Sequence, residues 1–405
     1  MPPPQARIPT SALVRGVTFP HHPAQEKVPA RPKGAEAPGQ IKTGNAVSES
    51  ENIVVETAEK IFGDLADAQT INHDKDGKWK APLWKALGEA GLPLSWVSEE
   101  FGGSGASLAE GFGVIGAAGR HAIALPLAET MLAGWLLAQA KTSSPEGEMT
   151  IAPASPKDRV TLNADGTLSG RARGVPFAKA AKHIAVLAQG TNGAANGVSI
   201  ALVDAKAVRI EAGLNLANDH SDAVTFDKVA PSAIKPAPKG FDQTALMLMG
   251  GVVRSLQIAG ALESMLDISV RYSNERVAFE KKISKFQAVQ HNLAKLAGES
   301  AAALAAATSA ADTIVNNASF NDDAVFLEAV AAKIRCSEAA EKGGAIAHQV
   351  HGAIGFTIEH ILHRYSLRAL SWRDDFGPES YWAVKLGERV AARGADELWP
   401  LVASR

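Results

Sequence analysis

The chain has 405 residues, 46% of them hydrophobic and 21% charged, with a formal net charge of −2. That is the composition of a globular protein with room for two or three domains. The charge balance excludes a strongly basic nucleic-acid binder; the single cysteine, Cys336, excludes an intrachain disulfide or a cysteine-cluster metal site and suits a reducing, cytoplasmic setting; and no apolar run approaches the roughly 20 residues of a membrane span.

Residues 1–47 are proline-rich and basic, with no apolar periodicity. They read as a disordered tail. They lack the apolar centre of a secretory signal. A targeting segment and a mis-set start both account for them, and His21 and His22 read as tail residues rather than metal ligands. From 48 to 148 the pattern is helical. Ile53, Val54, Ala58, Ile61 and Leu65 fall on one predicted stripe, and WKAPLWKALGEAG supplies a second amphipathic stretch. Gly102, Gly103 and Gly105 punctuate a loop before the next helix. Ser107 is the expected N-cap there, with Glu110 as its capping-box partner.

Residues 149–238 change texture to short β-branched runs separated by glycine and Asn/Asp turns. Asn163 to Gly166 has the composition of a hairpin turn. Residues 239–405 are helical again, with Leu246, Met249, Val253, Leu256 and Gly260 at three-four spacing. Alanine-rich faces from Gln287 onward favour close helix packing. The expected fold class is mainly α with a small β-domain: an N-terminal helical domain, a middle antiparallel β-domain and a C-terminal four-helix bundle.

One stretch of that last section raises a question. Residues 349–356 read QVHGAIGF. Glycine costs a helix interior about 1 kcal/mol relative to alanine. Either the helix ends there, or something approaches the backbone closely.

The domain order and several motifs resemble the acyl-CoA dehydrogenase family. SNERVAFEKKISKFQAVQHNLAKL is similar to the family segment R-x-x-F-G-x-x-x-x-x-x-Q and supplies Arg276, Phe279 and Gln287. QVHGAIGF resembles its Q-x-x-G-G-x-G motif. FGGSGAS, LSGRARGVPFAKAAKHIAVLA and SDAVTFDKVAP resemble its glycine loop and two of its β-domain segments. The resemblance covers about residues 50–395. It implies FAD bound across a subunit interface, with the adenine-diphosphate half held by the neighbouring bundle. Arg276 would supply the guanidinium fork for the diphosphate. Phe279 would pack beside the nucleotide and Gln287 would hydrogen-bond it. Gln349, Gly352 and Ala353 would pass against the cofactor, where small residues permit close approach. The implied partners are an acyl-CoA substrate, an electron-transfer flavoprotein and a second subunit, like or unlike.

The sequence also departs from that pattern. Glu280 stands where a glycine usually follows the phenylalanine. MTIAPASPKDRVTL replaces the family's T-E-x-x-x-G-S-D flavin loop, and GVPFAKA replaces its tryptophan-containing strand. Phe376 occupies the place of the usual glutamate base. A minority of the family carries the base just before an arginine that matches Arg254, and Val253 stands there. The base must be a carboxylate raised toward the operating pH by desolvation. Asp375, beside Asp374, is the remaining candidate. Arg254 would orient the catalytic loop or sit in a helix-surface salt bridge, and His351 has a packing role. Two readings follow. In one, the chain is an FAD-dependent dehydrogenase that desaturates an acyl-CoA thioester with Asp375 as base. In the other, it is a non-catalytic or half-site subunit that supplies the adenine-diphosphate contacts to an unlike partner.

Overall fold

The computed structural model describes residues 49–403 apart from 75, 191–196 and 318; the tail expected over 1–47 lies outside them. The first helices are α1 (Glu49–Leu65), α2 (Ala68–His73), α3 (Lys80–Glu89), α4 (Leu108–Arg120) and α5 (Leu127–Gln139). Ser107 caps α4 as expected: its Oγ accepts from Glu110 N at 3.1 Å, and the Glu110 carboxylate accepts from Ser107 N at 2.6 Å. The predicted stripe of α1 is only partly right. Ala58 is buried and Val54 and Ile61 are half-buried, but Phe62 takes the centre, while Ile53 and Leu65 face outward.

Eight strands follow: β1 (Met149–Ala152), β2 (Arg159–Leu162), β3 (Leu168–Pro176), β4 (His183–Gly190), β5 (Val198–Asp204), β6 (Arg209–Glu211), β7 (Ser221–Val229) and β8 (Ala233–Pro236). The spatial order is β6-β7-β3-β2-β4-β5-β8, with β1 pairing β4 beside that path. The β2–β3 hairpin turns over Asn163–Gly166, where Asn163 N donates to Thr167 O. The sheet is mixed, which corrects the antiparallel expectation: β1 and β2 both run parallel to β4. Both faces are covered. On β4, Ala185 and Leu187 join the main core, and Ile184, Val186 and Ala188 join a second cluster on the other face. That two-sided burial is why the strand reads as a continuous apolar run.

Then come α6 (Gln243–Glu275), a two-residue-stranded hairpin of β9 (Val277–Ala278) and β10 (Lys281–Lys282), α7 (Gln287–Asn316), α8 (Asp323–His351), α9 (Leu362–Trp372), α10 (Glu379–Arg393) and α11 (Leu398–Ala403). This C-terminal region is a set of several packed helices around α6. Among the described residues α6 is the one helix long and apolar enough to cross a membrane, contrary to the expectation from apolar runs. Its apolar stretch is entirely buried in the protein, so it is a core helix. Where α6 crosses α4 the backbones touch: a Cβ on Gly260 would lie 2.4 Å from Gly116 O, and one on Gly119 would lie 2.4 Å from Gln257 O. One core cluster runs from the N-terminal helices through one sheet face into the C-terminal helices.

Candidate active site and cofactor surface

The segment after α9 carries the candidate base. Asp375 is largely buried, and its Oδ2 accepts from Arg254 Nε at 2.9 Å. Arg254 lies in the middle of α6 with a side chain 2% exposed, so it is no helix-surface salt bridge. Its other nitrogens are also used. Nη2 donates to Glu129 Oε1 on α5 at 2.5 Å, and Nη1 donates to Gln257 Oε1 at 2.6 Å. One guanidinium therefore ties α5, α6 and the post-α9 turn together. Burial pushes the Glu129 and Asp375 carboxyls above their ordinary range, and Arg254 opposes that shift in both. Burial works against the charge on Arg254, but the two carboxylates hold it above the usual arginine value.

A second buried cation supports the same turn. Lys333 on α8 is 1% exposed. Its Nζ donates to Trp372 O at 2.8 Å and Arg373 O at 2.9 Å, the orphan carbonyls at the end of α9. Burial lowers its pKa to about 7. The chain then turns at Phe376, which has φ 57° and is fully buried. Phe376 N donates to Ala154 O at 3.0 Å, and Trp382 Nε1 donates to Phe376 O at 3.0 Å. The Phe376 ring lies against Gly250, where a Cβ would come within 2.4 Å, and 5.7 Å from the Arg254 guanidinium.

The cleft between these groups and the β-domain is lined by Glu129, Arg254, Asp375, Trp372, Phe177 and Asp219, among others. It holds about 10 Å³, close to the space of one water molecule. The segment in place of the flavin loop is pinned into its own fold. Asp158 accepts from Arg173 N, Nε and Nη2, and Gln243 Nε2 donates to Ser155 O and Asp158 O. Those carbonyls and that carboxylate are already engaged.

The expected cofactor residues lie elsewhere, on open surface. Arg276 ends α6 and is exposed, with no ion pair among the described residues. Phe279 is 90% exposed at the tip of the β9–β10 hairpin, where it and Glu280 both have positive φ (52° and 64°). Gln287 is the exposed first residue of α7. Gln349, Gly352 and Ala353 line an open, mainly apolar cleft of about 660 Å³ with His348 and Phe356. Gly352 answers the question of QVHGAIGF in part. It ends α8 with φ 66°, a left-handed value that favours glycine, and nothing among the described residues beyond its chain neighbours comes within 4 Å of where its Cβ would be. The two motifs meet through their neighbours: Tyr272, one turn before Arg276, stacks on His351 at 4.4 Å between ring centroids and donates from its hydroxyl to His351 O at 3.3 Å. His351 thus packs, as expected. An exposed guanidinium, an open glycine corner and a free amide are a donor set that fits a nucleotide diphosphate.

Sequence reasoning missed Glu129, Gln257 and Lys333. Glu129 carried a signal, as the lone charge in ALPLAETMLAGWLL; Lys333, with Glu328 and Arg335 close by on the same helix, and the neutral Gln257 carried none. Charged side chains are almost never fully buried unless paired.

Family models match both helical parts: the acyl-CoA dehydrogenase N-terminal domain over residues 48–144 and the C-terminal domain over residues 239–379. The chain belongs to the acyl-CoA dehydrogenase family. The acyl-CoA dehydrogenase IpdE2 of Mycobacterium tuberculosis is 27% identical over 297 residues, covering 73% of this chain and 82% of that protein. A solved steroid ACAD variant of the pair Tcur3481-Tcur3483 is 25% identical with TM-score 0.74, covering 85% of this chain and 98% of that one. The ChsE4-ChsE5 complex of Mycobacterium tuberculosis shares the fold at 21% identity and TM-score 0.75, again over 85% of this chain and 98% of the other. Within this acyl-CoA dehydrogenase fold, the cleft beside Asp375 is nearly filled, and the surface that carries Arg276, Gln287 and Gln349 is open.

Proposed function

We propose that this chain is a half-site subunit of a heteromeric, FAD-dependent acyl-CoA dehydrogenase. Arg276, Phe279, Gln287, Gln349, Gly352 and Ala353 would hold the adenine-diphosphate half of an FAD whose ring lies against the unlike partner. The observation that carries this reading is the closed cleft: Asp375 is spent on Arg254, and about 10 Å³ remains beside it. The pinned 155–158 segment supports it, since this chain then offers little to a flavin ring. Two solved relatives named as pairs of unlike chains lean the same way.

When bound, FAD supplies the hydride acceptor for desaturating an acyl-CoA thioester, and an electron-transfer flavoprotein would take the electrons onward. This chain's own part is to bind the nucleotide end and to present the helices from 239 onward as a bundle for subunit contact. The expected setting is the cytoplasm. A second reading keeps Asp375 as base; its upward shift by burial favours that, because a base for an α-proton needs a raised pKa.

The test is flavin content and acyl-CoA-dependent flavin reduction of the full chain, alone and co-expressed with a dehydrogenase-like paralogue. The expected result is little flavin and no reduction alone, and both with the partner. A chain that purifies yellow and reduces its flavin alone excludes the half-site reading.

A further inference from the structure

The inner face of α9 carries Arg364, Arg368 and Trp372 at i, i+4 and i+8, one stripe of the helix. Trp372 lines the closed cleft beside Asp375, and so does Asp219 on the β6–β7 turn. Arg368 is 4% exposed. Its Nη2 donates to Asp219 Oδ1 at 2.8 Å and its Nη1 to Arg364 O at 3.2 Å, which leaves its Nε buried with no acceptor among the described residues. Arg364 is half-buried, and both its Nε and Nη2 are buried with no acceptor among the described residues. No carboxylate within ion-pair distance of Arg364 exists among the described residues, and Asp219 is the one carboxylate paired to Arg368. Burial, and then the neighbouring Arg368, pull the Arg364 pKa down to about 10.

Buried donors on a charged group are costly to leave unmade, so groups of this kind are normally satisfied by a partner. Arginine presents its donors as a planar fork suited to two-oxygen anions. Two forks one turn apart, with one carboxylate between them, carry one unit of positive charge in excess. The Asp219 turn is itself held by Asn215, whose Oδ1 accepts from Ala217 N and Asp219 N, so the arrangement is built rather than incidental.

We infer that Arg364 and Arg368 form a binding site for an oxyanion, a phosphate or carboxylate group of a ligand lying along α9 against the β6–β7 turn. The site faces the β6–β7 turn; neither arginine lines the one-water space beside Asp375, and the site is also separate from the surface of Arg276 and Gln349. It does not depend on the half-site reading, because the readout below is binding and not flavin reduction.

The probe is inorganic phosphate, added to the full-length chain against chloride at matched ionic strength, with thermal unfolding as the readout. The parent should gain stability with phosphate. Arg364→Met should lose that gain and, in chloride alone, should unfold at a higher temperature than the parent, since it removes an unpartnered buried charge. Arg364→Lys keeps the charge without the fork and should respond weakly. An equal phosphate response in the parent and Arg364→Met, or none in the parent, overturns the site. Titrations with FAD, butyryl-CoA and glutaryl-CoA then find the source of the oxyanion, with binding about 10- to 100-fold weaker in Arg364→Met for the ligand that supplies it. Loss with FAD alone assigns the flavin diphosphate, loss with glutaryl-CoA alone assigns an acyl carboxylate, and equal loss with both thioesters assigns a CoA phosphate. Unchanged binding of all three refutes a ligand site.

Discussion

Arg254 and Asp375 stand 121 positions apart and meet at 2.9 Å, with Nη2 of the same guanidinium donating to Glu129. A carboxylate held in this way is poised by burial but not free to move. An acyl chain would have to displace the Asp375 turn before reaching it. That relationship makes Arg254 the keystone of the closed cleft, and its removal has a defined consequence.

Arg254→Met should destabilise the fold by about 3–5 kcal/mol at pH 7, because it leaves Glu129 buried without a counter-ion and Asp375 with only the Lys333 ammonium nearby. The deficit should shrink on acidification. Both carboxyls have folded-state values raised by burial. A raised carboxyl binds its proton more readily folded than unfolded, so its contribution is fully present below the unfolded value and fades as pH rises through the folded one. Losing Arg254 raises both further. Urea unfolding of parent and variant at pH 5 and pH 7 measures the difference; an equal deficit at both pH values contradicts the charge argument.

Arg276→Ala should leave stability within about 0.5 kcal/mol of the parent, since the side chain is exposed and unpaired. Flavin retention by the assembled protein should nonetheless fall about tenfold or more, as expected for losing a charge-assisted contact to a diphosphate. Flavin absorbance per protein after gel filtration is the measurement. Full occupancy in the variant removes Arg276 from the cofactor surface.

How much of this could be read from the chain varies with distance along it. The Ser107–Glu110 cap and the Asn163–Gly166 hairpin are local patterns of a few residues, and each stands as the sequence suggested. By contrast, α6 is a helix as its spacing implied but is buried all round from Ala245 to Leu262 rather than along one stripe. The parallel pairing of β1 with β4 joins strands 34 residues apart, as Met149 opposite His183 shows, and no turn signal announces it. The outward-facing Ile53 and Leu65 follow a good helical period but lose their places to Phe62, because packing against α4 decides which edge of the stripe is covered. The charged cluster was half legible: Arg254 and Asp375 drew notice through family motifs, whereas Glu129 was the lone charge of the apolar α5 and Lys333 was one charge among several on α8. Their partners come from other elements, which periodicity does not see.

Glu280→Gly should stabilise the β9–β10 hairpin. Phe279 and Glu280 both have positive φ, the signature of a two-residue type I′ turn, which prefers Asn-Gly. A side chain in the left-handed region costs about 1–2 kcal/mol, and glycine returns about 0.5–1 kcal/mol of that through its greater unfolded entropy. The net gain should be at most about 1.5 kcal/mol, read as a small rise in Tm. A fall in Tm means that the Glu280 side chain makes a contact that outweighs the strain.

Lys333 gives the last prediction, and its sign is opposite to that of the carboxyls. Its folded-state pKa is lowered by burial from 10.5 to about 7. Between those values the unfolded chain holds a proton that the folded chain has released. The slope of unfolding free energy with pH is proportional to the protons bound unfolded minus those bound folded, so this lysine makes stability rise as pH rises above about 7. Below about 7 it is charged in both states, and the full cost of burying that charge is present. From pH 7 to pH 8.5 the gain should be roughly 2 kcal/mol, at 1.36 kcal/mol per pKa unit. Lys333→Met abolishes the slope. It also strips Trp372 O and Arg373 O of their donor, which costs about 1–3 kcal/mol for each carbonyl that stays dry, so the variant's absolute stability at pH 7 reflects both effects. The slope isolates the charge. Urea midpoints at pH 7.0 and 8.5 should move apart in the parent and coincide in Lys333→Met; a parent that is no more stable at pH 8.5 means that Lys333 keeps its proton in the fold.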